Sequence, residues 1–315
     1  MFGIEELKEN IEITNTTVEC PVKDCVEKVE KQQRNDIKTE KRFLCQIHNI
    51  YITPTTFLYK NELDNILWDY ELLYKIKEVK RESRFFHDNS EDAVTWNIIR
   101  FLEKNNLVNS ILGSILKIPI QSPEIIYWSY SQKEKDSWSM LNEARTEFGE
   151  RIRRSSEPDI IIKTDSALLF IEAKLTSGNN TSSRSNPKKY LTGGKNWFQN
   201  VFTSNYDTIV RLEKKYELMR FWLLGTWIAD QHNLDFYLIN LVLSEQEKDI
   251  EEIFNRLIRT NENRKFIRIT WEDIYLEILN NELPGSDKEK MINYFQNKTI
   301  GYKYGRIRRA FSIPK

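Results

Sequence analysis

The alternation of apolar and polar residues along the chain predicts its strands. Ile160 to Lys163 and Leu168 to Leu175 are apolar runs, and the Thr-Asp-Ser sequence at 164–166 between them is typical of a tight turn. Together they predict a β-hairpin. Three further apolar runs predict strands on either side of this hairpin: Pro123 to Tyr130, Leu234 to Leu243, and Phe266 to Ile269.

Helical periodicity and capping residues predict the elements between these strands. Ser90 is a typical N-cap for a helix over Glu91 to Lys104. Two longer stretches also have a helical pattern, residues 62–85 and residues 197–229 with a break near 204–205. Two capping pairs predict further helices: Ser244 with Glu247, and Thr270 with Asp273. The resulting order, α-β-β-β-α-β-α-β-α, predicts an α/β fold.

Composition indicates a folded globular protein. The chain has 315 residues, 40% of them hydrophobic and 30% charged, with 47 basic and 47 acidic side chains. Any affinity for a polyanion must therefore come from locally concentrated charge. Residues 1–10 are acidic and polar, and no apolar window is long enough to span a membrane. A cytoplasmic protein without membrane contact is expected.

The first sixty residues differ from the rest of the chain and predict a separate unit. They are acidic, lack a long apolar stripe and contain all three cysteines. We therefore expect a small N-terminal unit over residues 1–60 and a main domain over residues 61–315. Cys20-x₄-Cys25 and Cys45-x₂-His48 fit a closed Zn²⁺ site of the Cys₃His type, and such a zinc-ribbon-like unit would be stabilised by its metal. The alternative is three unrelated reduced cysteines beside a surface histidine.

The predicted hairpin carries charged residues that suggest a metal site. With the period of two in a strand, Glu172 and Lys174 lie on one face of an otherwise apolar strand. Buried charges are costly without partners, so this face must meet a metal, water or a ligand. Asp159, at the start of the paired strand, can supply a second carboxylate. An all-oxygen site of this kind suits Mg²⁺. The alternative is a solvated hairpin face with an ordinary ion pair.

The helix that begins at Glu91 offers a third acid. At 100° per residue, Glu91 lies on the stripe of Val94, Ile98 and Phe101, whereas Asp92 lies on the flank. An inward-facing acid beside two carboxylates would suit a metal-plus-water site. The alternative is a first-turn acid that only stabilises the helix dipole.

Together these residues resemble a known family. Pro158-Asp159 followed by Glu172-Ala173-Lys174, in a hairpin after an acid-bearing helix, resembles the PD-(D/E)xK nuclease superfamily of restriction-endonuclease-like proteins. The resemblance spans roughly residues 86 to 245. It implies a core of α-β-β-β-α-β order, with a mixed sheet flanked by helices. It also implies that Asp159, Glu172 and the Ala173 carbonyl bind metal, that Lys174 positions or activates water, and that Glu91 is the helix acid.

Basic residues cluster in three places, where they can contact phosphates. The alternative in each case is solvated surface charge. The clusters are Arg145, Arg151, Arg153 and Arg154; then Arg184, Lys188 and Lys189; and finally the tail with Lys303, Arg306, Arg308 and Arg309.

The sequence therefore predicts a Mg²⁺-dependent endonuclease that acts on DNA and carries a structural Zn²⁺. Product ends with a 5′-phosphate are what the resemblance implies. A restriction or other genome-defence role is expected by analogy, with repair and mobile-element nucleases as alternatives. A different class, a non-catalytic nucleic-acid-binding module on a nuclease-like fold, is also retained, and a homodimer is left open.

Overall fold

The computed structural model describes residues 2–33, 37–80, 83–152, 157–184, 187–282 and 285–313. The chain divides into two compact units. The first comprises residues 1–71, 83–106 and 271–315, and the second comprises residues 72–82 and 107–270. This division differs from the boundary expected near residue 60, because the N-terminal segment shares its unit with the C-terminal residues and with the helix that begins at Glu91.

The elements of the described residues are as follows. The strands are β1 (Thr17–Glu19), β2 (Lys28–Glu30), β3 (Leu44–Cys45), β4 (Ile50–Ile52), β5 (Phe57–Tyr59), β6 (Glu124–Tyr127), β7 (Tyr130–Ser131), β8 (Asp136–Ser137), β9 (Ile160–Lys163), β10 (Ala167–Ala173), β11 (Asp235–Val242), β12 (Arg264–Thr270), β13 (Thr299–Lys303) and β14 (Arg306–Arg309). The α-helices are α1 (Tyr70–Val79), α2 (Glu91–Lys104), α3 (Ser114–Leu116), α4 (Ser139–Glu147), α5 (Lys188–Asn196), α6 (Phe198–Val201), α7 (Tyr216–His232), α8 (Ile250–Asn255), α9 (Trp271–Asn280) and α10 (Ser286–Asn297). None of the helices described is long and apolar enough to cross a membrane.

A mixed sheet of seven strands forms the centre of the second unit, in the order β12-β11-β10-β9-β6-β7-β8. The neighbours β6, β9 and β10 are antiparallel, whereas β10, β11 and β12 are parallel. β9 and β10 form the hairpin predicted from the sequence, with Ile171 paired to Ile160. Thr164 closes its turn, because the hydroxyl accepts hydrogen bonds from the backbone N–H groups of Ser166 at 3.2 Å and Ala167 at 2.9 Å.

Helix α7 covers one apolar face of this sheet. Leu168, Phe170 and Phe236 on the strands share a buried cluster with Trp222 on the helix. Gly225 permits this close approach, since a Cβ there would lie 2.1 Å from the Phe236 ring. Because α7 leads from β10 back to the parallel β11, its first turn lies at the end of the sheet where both strands terminate.

Three small sheets belong to the first unit: β1-β2, β3-β4-β5 and β13-β14. Its core joins residues from both ends of the chain, since Phe2, Cys20 and Phe57 pack with Tyr302 and Ile307. The N-terminal segment therefore shares an apolar core with the C-terminal hairpin and does not depend on a metal alone for its packing.

Candidate active site and cysteine cluster

Asp159 lies one residue before β9, and two donors fix its carboxylate. The backbone N–H of Ala173 donates to Oδ2 at 2.9 Å, and the indole Nε1 of Trp128 donates to Oδ1 at 3.0 Å. The hydrogen bond from Ala173 joins the Pro-Asp motif to the Glu-Ala-Lys motif. These two motifs lie at opposite ends of the hairpin sequence, and the bonded residues are 14 positions apart.

Trp128 reaches Asp159 from a strained turn. Tyr127 pairs with Tyr130, so Trp128 and Ser129 form a two-residue turn, and both have positive φ, 45° and 73°. Such turns normally carry Asn or Gly, because other side chains are strained there. The contacts that hold this turn include a hydrogen bond from the Trp128 backbone N–H to the Asp159 carbonyl at 3.0 Å. The Ser129 hydroxyl also donates to Glu157 at 2.9 Å. Strain of this kind is concentrated at functional sites.

Glu172 and Lys174 lie close together and are buried, with 3% and 8% of their surfaces exposed. The Lys174 Nζ donates a short hydrogen bond to Glu172 Oε1. Burial raises the pKa of Glu172 well above its ordinary value, Lys174 opposes that shift, and repulsion from Asp159 and Glu217 adds to it. A cation placed beside these carboxylates would relieve the same unfavourable charge.

Glu217, in the first turn of α7, is a site residue that sequence reasoning missed. Its charge acts on Glu172, and its backbone N–H donates to the Thr181 hydroxyl at 2.9 Å. Its position in the sequence could have indicated this, because Glu217 is an acid at the start of the long helix that precedes β11, the strand parallel to β10. Its negative charge contributes to raising the pKa of Glu172.

A buried polar network borders the site on the β11 side. Asn240 pairs with Glu172 in the β10-β11 register. Its Oδ1 accepts from Asn179 Nδ2 at 2.7 Å, and its Nδ2 donates to Glu247 at 3.1 Å. The backbone N–H of Asn179 also donates to Glu247 at 2.7 Å. The network thus fixes the segment that follows Lys174. The expected capping pair of Ser244 and Glu247 is wrong, because α8 begins only at Ile250.

The residues expected to contact phosphates have different environments. Arg151, Arg184 and Lys188 are exposed, and Lys189 is half-buried. Arg145 is only 1% exposed. Its Nη2 lies 3.3 Å from the Ser129 hydroxyl and 3.6 Å from Glu157 Oε2. Arg153 and Arg154 lie outside the described residues. The burial of Arg145 favours a role in holding the strained turn over a direct phosphate contact.

Arg220 of α7 and Glu150 form a buried ion pair in the second unit. The Nε and Nη2 of Arg220 each donate to one Glu150 oxygen at 2.6 Å, and the Tyr190 hydroxyl donates to Oε1 at 2.9 Å. Burial alone would raise the pKa of Glu150, but the hydrogen bonds from Arg220 lower it below its ordinary value. Stability from this group is therefore present above the ordinary glutamate pKa and is lost as the pH falls through the lowered one.

We expect Arg220→Leu to destabilise the second unit by about 3–5 kcal/mol, because it leaves the Glu150 carboxylate buried without its partner. Urea unfolding measures this destabilisation. Arg256→Leu is the matched control, since its pair with Glu252 at 3.9 Å is mostly exposed and should not shift the midpoint. Equal midpoints for the two variants would contradict the structural importance of the buried pair.

The predicted zinc ligands converge in the first unit. The ligand atoms of Cys20, Cys25, Cys45 and His48 all lie within 4.8 Å of one another. Cys20 follows β1, and Cys25 lies on the turn before β2, where Asp24 has a positive φ of 62°. Cys45 ends β3, and His48 lies on the turn before β4. Two turns thus each present two ligands, the arrangement that a closed tetrahedral site requires.

The surroundings of the cysteine cluster also suit a metal. His48 Nδ1 lies 3.4 Å from Cys20 Sγ and 3.5 Å from Cys45 Sγ. On the other side of the ring, Nε2 lies 3.2 Å from Glu5 Oε2. A carboxylate on the distal nitrogen orients a histidine and makes the other nitrogen a better ligand. The donor set of three thiols and one imidazole fits Zn²⁺.

Comparison with known proteins gives a family match. The model of the family described as "restriction endonuclease associating with ARP" matches residues 26–299. The chain belongs to that family. No curated protein and no solved structure matches the chain. The residues matched by the restriction endonuclease family include Asp159, Glu172 and Lys174, together with Cys45 and His48.

The structure thus brings together most of the predicted site. Asp159, Glu172 and Lys174 converge, and so do the four cysteine-cluster residues. Glu91 lies in the first turn of α2, in the first unit, whereas the three motif residues lie in the second unit. The role of Glu91 therefore still depends on the sequence resemblance.

Proposed function

We propose that the protein is a Mg²⁺-dependent endonuclease that hydrolyses phosphodiester bonds of DNA in a restriction or other genome-defence role. The observation that carries this proposal is the 2.9 Å hydrogen bond from Ala173 to Asp159, which joins the two halves of the motif beside a buried Glu172 and Lys174. Membership of a restriction endonuclease family supports it independently. The antiparallel β6, β9 and β10 followed by the parallel β11 are consistent with the α-β-β-β-α-β core that the resemblance implies.

In this proposal, Asp159, Glu172 and the Ala173 carbonyl hold Mg²⁺, and Glu91 is the helix acid. When bound, the metal supplies charge stabilisation at the scissile phosphate. Lys174 orients the attacking water by donating a hydrogen bond to it from its ammonium, which Glu172 keeps in place. Trp128 and the Ala173 N–H hold both oxygens of Asp159, so its carboxylate needs little reorganisation on binding.

Two further parts of the proposal concern the first unit. We propose that Cys20, Cys25, Cys45 and His48 hold a structural Zn²⁺ and that residues 1–60 form a zinc-ribbon-like module. The family description also names an association with ARP, and we propose that this chain acts beside such a partner.

The direct test uses supercoiled and linear DNA incubated with the protein in Mg²⁺, in Mn²⁺ and in EDTA, with the product ends sequenced. We expect cleavage with either metal, none in EDTA, and 5′-phosphate ends. DNA binding without cleavage in both metals would reject the nuclease proposal and favour the non-catalytic binding module.

We expect that replacing Arg184, Lys188 and Lys189 by alanine weakens binding to all DNA sequences alike, because phosphate contacts do not read bases. The log–log salt dependence of affinity should become shallower by about 0.9 for each phosphate that the variant no longer neutralises. Fluorescence anisotropy at a series of salt concentrations measures this slope.

The matched control replaces Arg211, Lys248 and Arg256 by alanine. It removes the same charge from the same unit, but each of these cations lies beside an acid within its own helix or turn. If the two variants have the same slope, the residues at 184–189 are ordinary solvated surface.

A further inference from the structure

We propose that the β13-β14 hairpin is a surface of the first unit that binds duplex DNA, with Lys303, Arg306 and Arg308 on phosphates and Tyr304 in the groove. The choice of DNA as ligand rests on the proposed function. The hairpin lies far along the chain from the candidate active site, and nothing in the proposed cleavage reaction uses it.

The two faces of the hairpin have different roles. Tyr302 and Ile307 pair across the strands and are buried in the core of the unit. Lys303 and Arg306 form the next pair, and both are exposed, as is Arg308 two residues further along. Arg306 and Arg308 are separated by about 7 Å along the strand, which corresponds to about two base-pair steps of a duplex.

The exposed cations of the hairpin lack the ion-pair partners that some other cations of this unit have. Lys23 pairs with Glu6, Lys28 with Glu12, and Arg42 with Glu30 and Glu40. Within the part of the chain that the structure describes, Lys303, Arg306 and Arg308 form no ion pair, and the Lys303 ammonium lies 5.5 Å from the centroid of the Tyr304 ring. The neighbouring Arg309 instead binds the carbonyls of Asn297 and Leu7. The three cations thus present uncompensated charge to an anionic partner.

The tip of the hairpin presents an aromatic ring in an unfavourable backbone conformation. Tyr304 and Gly305 form a two-residue turn with positive φ, 52° and 82°. Gly suits this turn, but Tyr does not, and Asn would relieve the strain. The Tyr304 side chain is nevertheless 92% exposed, so it gains no burial from this position. A strained, exposed aromatic between cations points to contact with a ligand.

The hairpin is held rigidly enough to act as a recognition element. The Ile11 N–H donates to the Gly305 carbonyl at 2.8 Å, and the Ile307 N–H donates to the Glu9 carbonyl at 2.9 Å. A Cβ on Gly305 would lie 2.7 Å from the Ile11 carbonyl oxygen. Arg306 is also bridged to Asn10, so the two-stranded part of the hairpin is its tip. The major groove of B-DNA admits a β-ribbon of this kind, which favours a duplex as the occupant.

The test measures binding of the full chain to a labelled DNA duplex without added Mg²⁺, over a range of salt concentrations. The hairpin variant is Lys303→Gln, Arg306→Gln and Arg308→Gln. The matched control is Lys23→Gln, Lys28→Gln and Arg42→Gln, which removes the same charge from the same unit. We expect the control to bind like the wild type. The hairpin variant should bind at least tenfold more weakly at low salt. Its log–log slope of affinity against salt concentration should be shallower by about 2.7 if each of the three cations neutralises one phosphate.

Tyr304→Asn separates binding from folding. Asn accommodates the turn better than Tyr, so the thermal midpoint should stay the same or rise, while affinity should fall by roughly fivefold, about 1 kcal/mol. Unchanged affinity would overturn the role of Tyr304. A hairpin variant that behaves like the control, or whose affinity falls more for a duplex RNA than for DNA, would overturn the proposal. Because only binding is measured, these outcomes are separate from failure of the nuclease proposal, which is judged by cleavage.

Discussion

Replacing Lys174 by alanine is expected to reduce DNA cleavage by about two to three orders of magnitude, because removal of one preorganised hydrogen-bond donor at the reacting group costs about 10²- to 10³-fold. Asp159→Ala should have at least as large an effect, since it removes a proposed metal ligand that two donors fix in place. Plasmid nicking rates measure both effects. DNA affinity without metal should change little, because neither side chain lies on the exposed basic surface.

Lys174 is buried beside Glu172, so replacing it by alanine affects the stability of the fold as well as cleavage. Lys174→Met keeps most of the side-chain volume, and Lys215→Met is the matched control. Lys215 is 6% exposed in the same unit, and its ammonium binds the Asn180 side chain at 2.8 Å. We expect both methionine variants to remain folded and only Lys174→Met to lose cleavage. Wild-type cleavage in a folded Lys174→Met or Asp159→Ala protein would refute the assignment of the site.

The catalytic hairpin could be predicted because its determinants are local. Two runs rich in Ile and Leu flank the Thr164 turn, and alternation along β10 and into the residue that follows it predicts Glu172 and Lys174 on one face. The contacts of Trp128 could not be predicted in this way. Its indole reaches Asp159 only because residues 128 and 129 adopt a conformation that their residue types do not favour.

Nonlocal contacts also explain the helices that were wrongly predicted. Among the described residues of the helix expected over 62–85, Tyr70–Val79 is α-helical and Glu62–Asn65 is a 3₁₀ helix, and the Asn65 side chain donates hydrogen bonds to the distant carbonyls of Phe85 and His87. The pair Ser244 and Glu247 has the spacing of a capping box, yet Glu247 binds Asn179, which lies in a distant part of the sequence. Hydrogen bonds made inside the buried network compete with local capping, and the spacing of residues along the chain does not reveal them.

Charge patterns in the sequence did not distinguish buried cations from exposed ones. Arg145 and Arg151 belong to one sequence cluster, but Arg145 is buried beside Glu157 and Arg151 is exposed. Along β14 the separation follows strand alternation, which turns Ile307 inward and Arg306 and Arg308 outward. Sequence therefore indicates where basic residues are concentrated, whereas the tertiary contacts decide which of them can meet a phosphate.

Disruption of the cysteine cluster should strongly reduce both the zinc content and the protease resistance of the N-terminal segment. We expect about one Zn²⁺ per chain in the purified protein, held by the four ligands that a closed structural site requires. Cys45→Ser and His48→Gln should each lose the metal, and limited proteolysis should then cut before residue 60. The reason is that metal-binding free energy becomes folding free energy for the turns that carry the ligands. Elemental analysis and the proteolysis pattern measure both effects.

Two control variants sharpen the zinc prediction. His87→Gln replaces another histidine of the first unit that lies outside the cluster, so zinc content should stay unchanged. Glu5→Gln keeps all four ligands but weakens the contact to His48 Nε2, and it should lower zinc affinity by about 10- to 100-fold while one ion still binds at saturation. A well-folded protein without zinc would reject the assignment. Zinc retained in both Cys45→Ser and His48→Gln would place the ion elsewhere, because three of these four ligands alone leave an open coordination position.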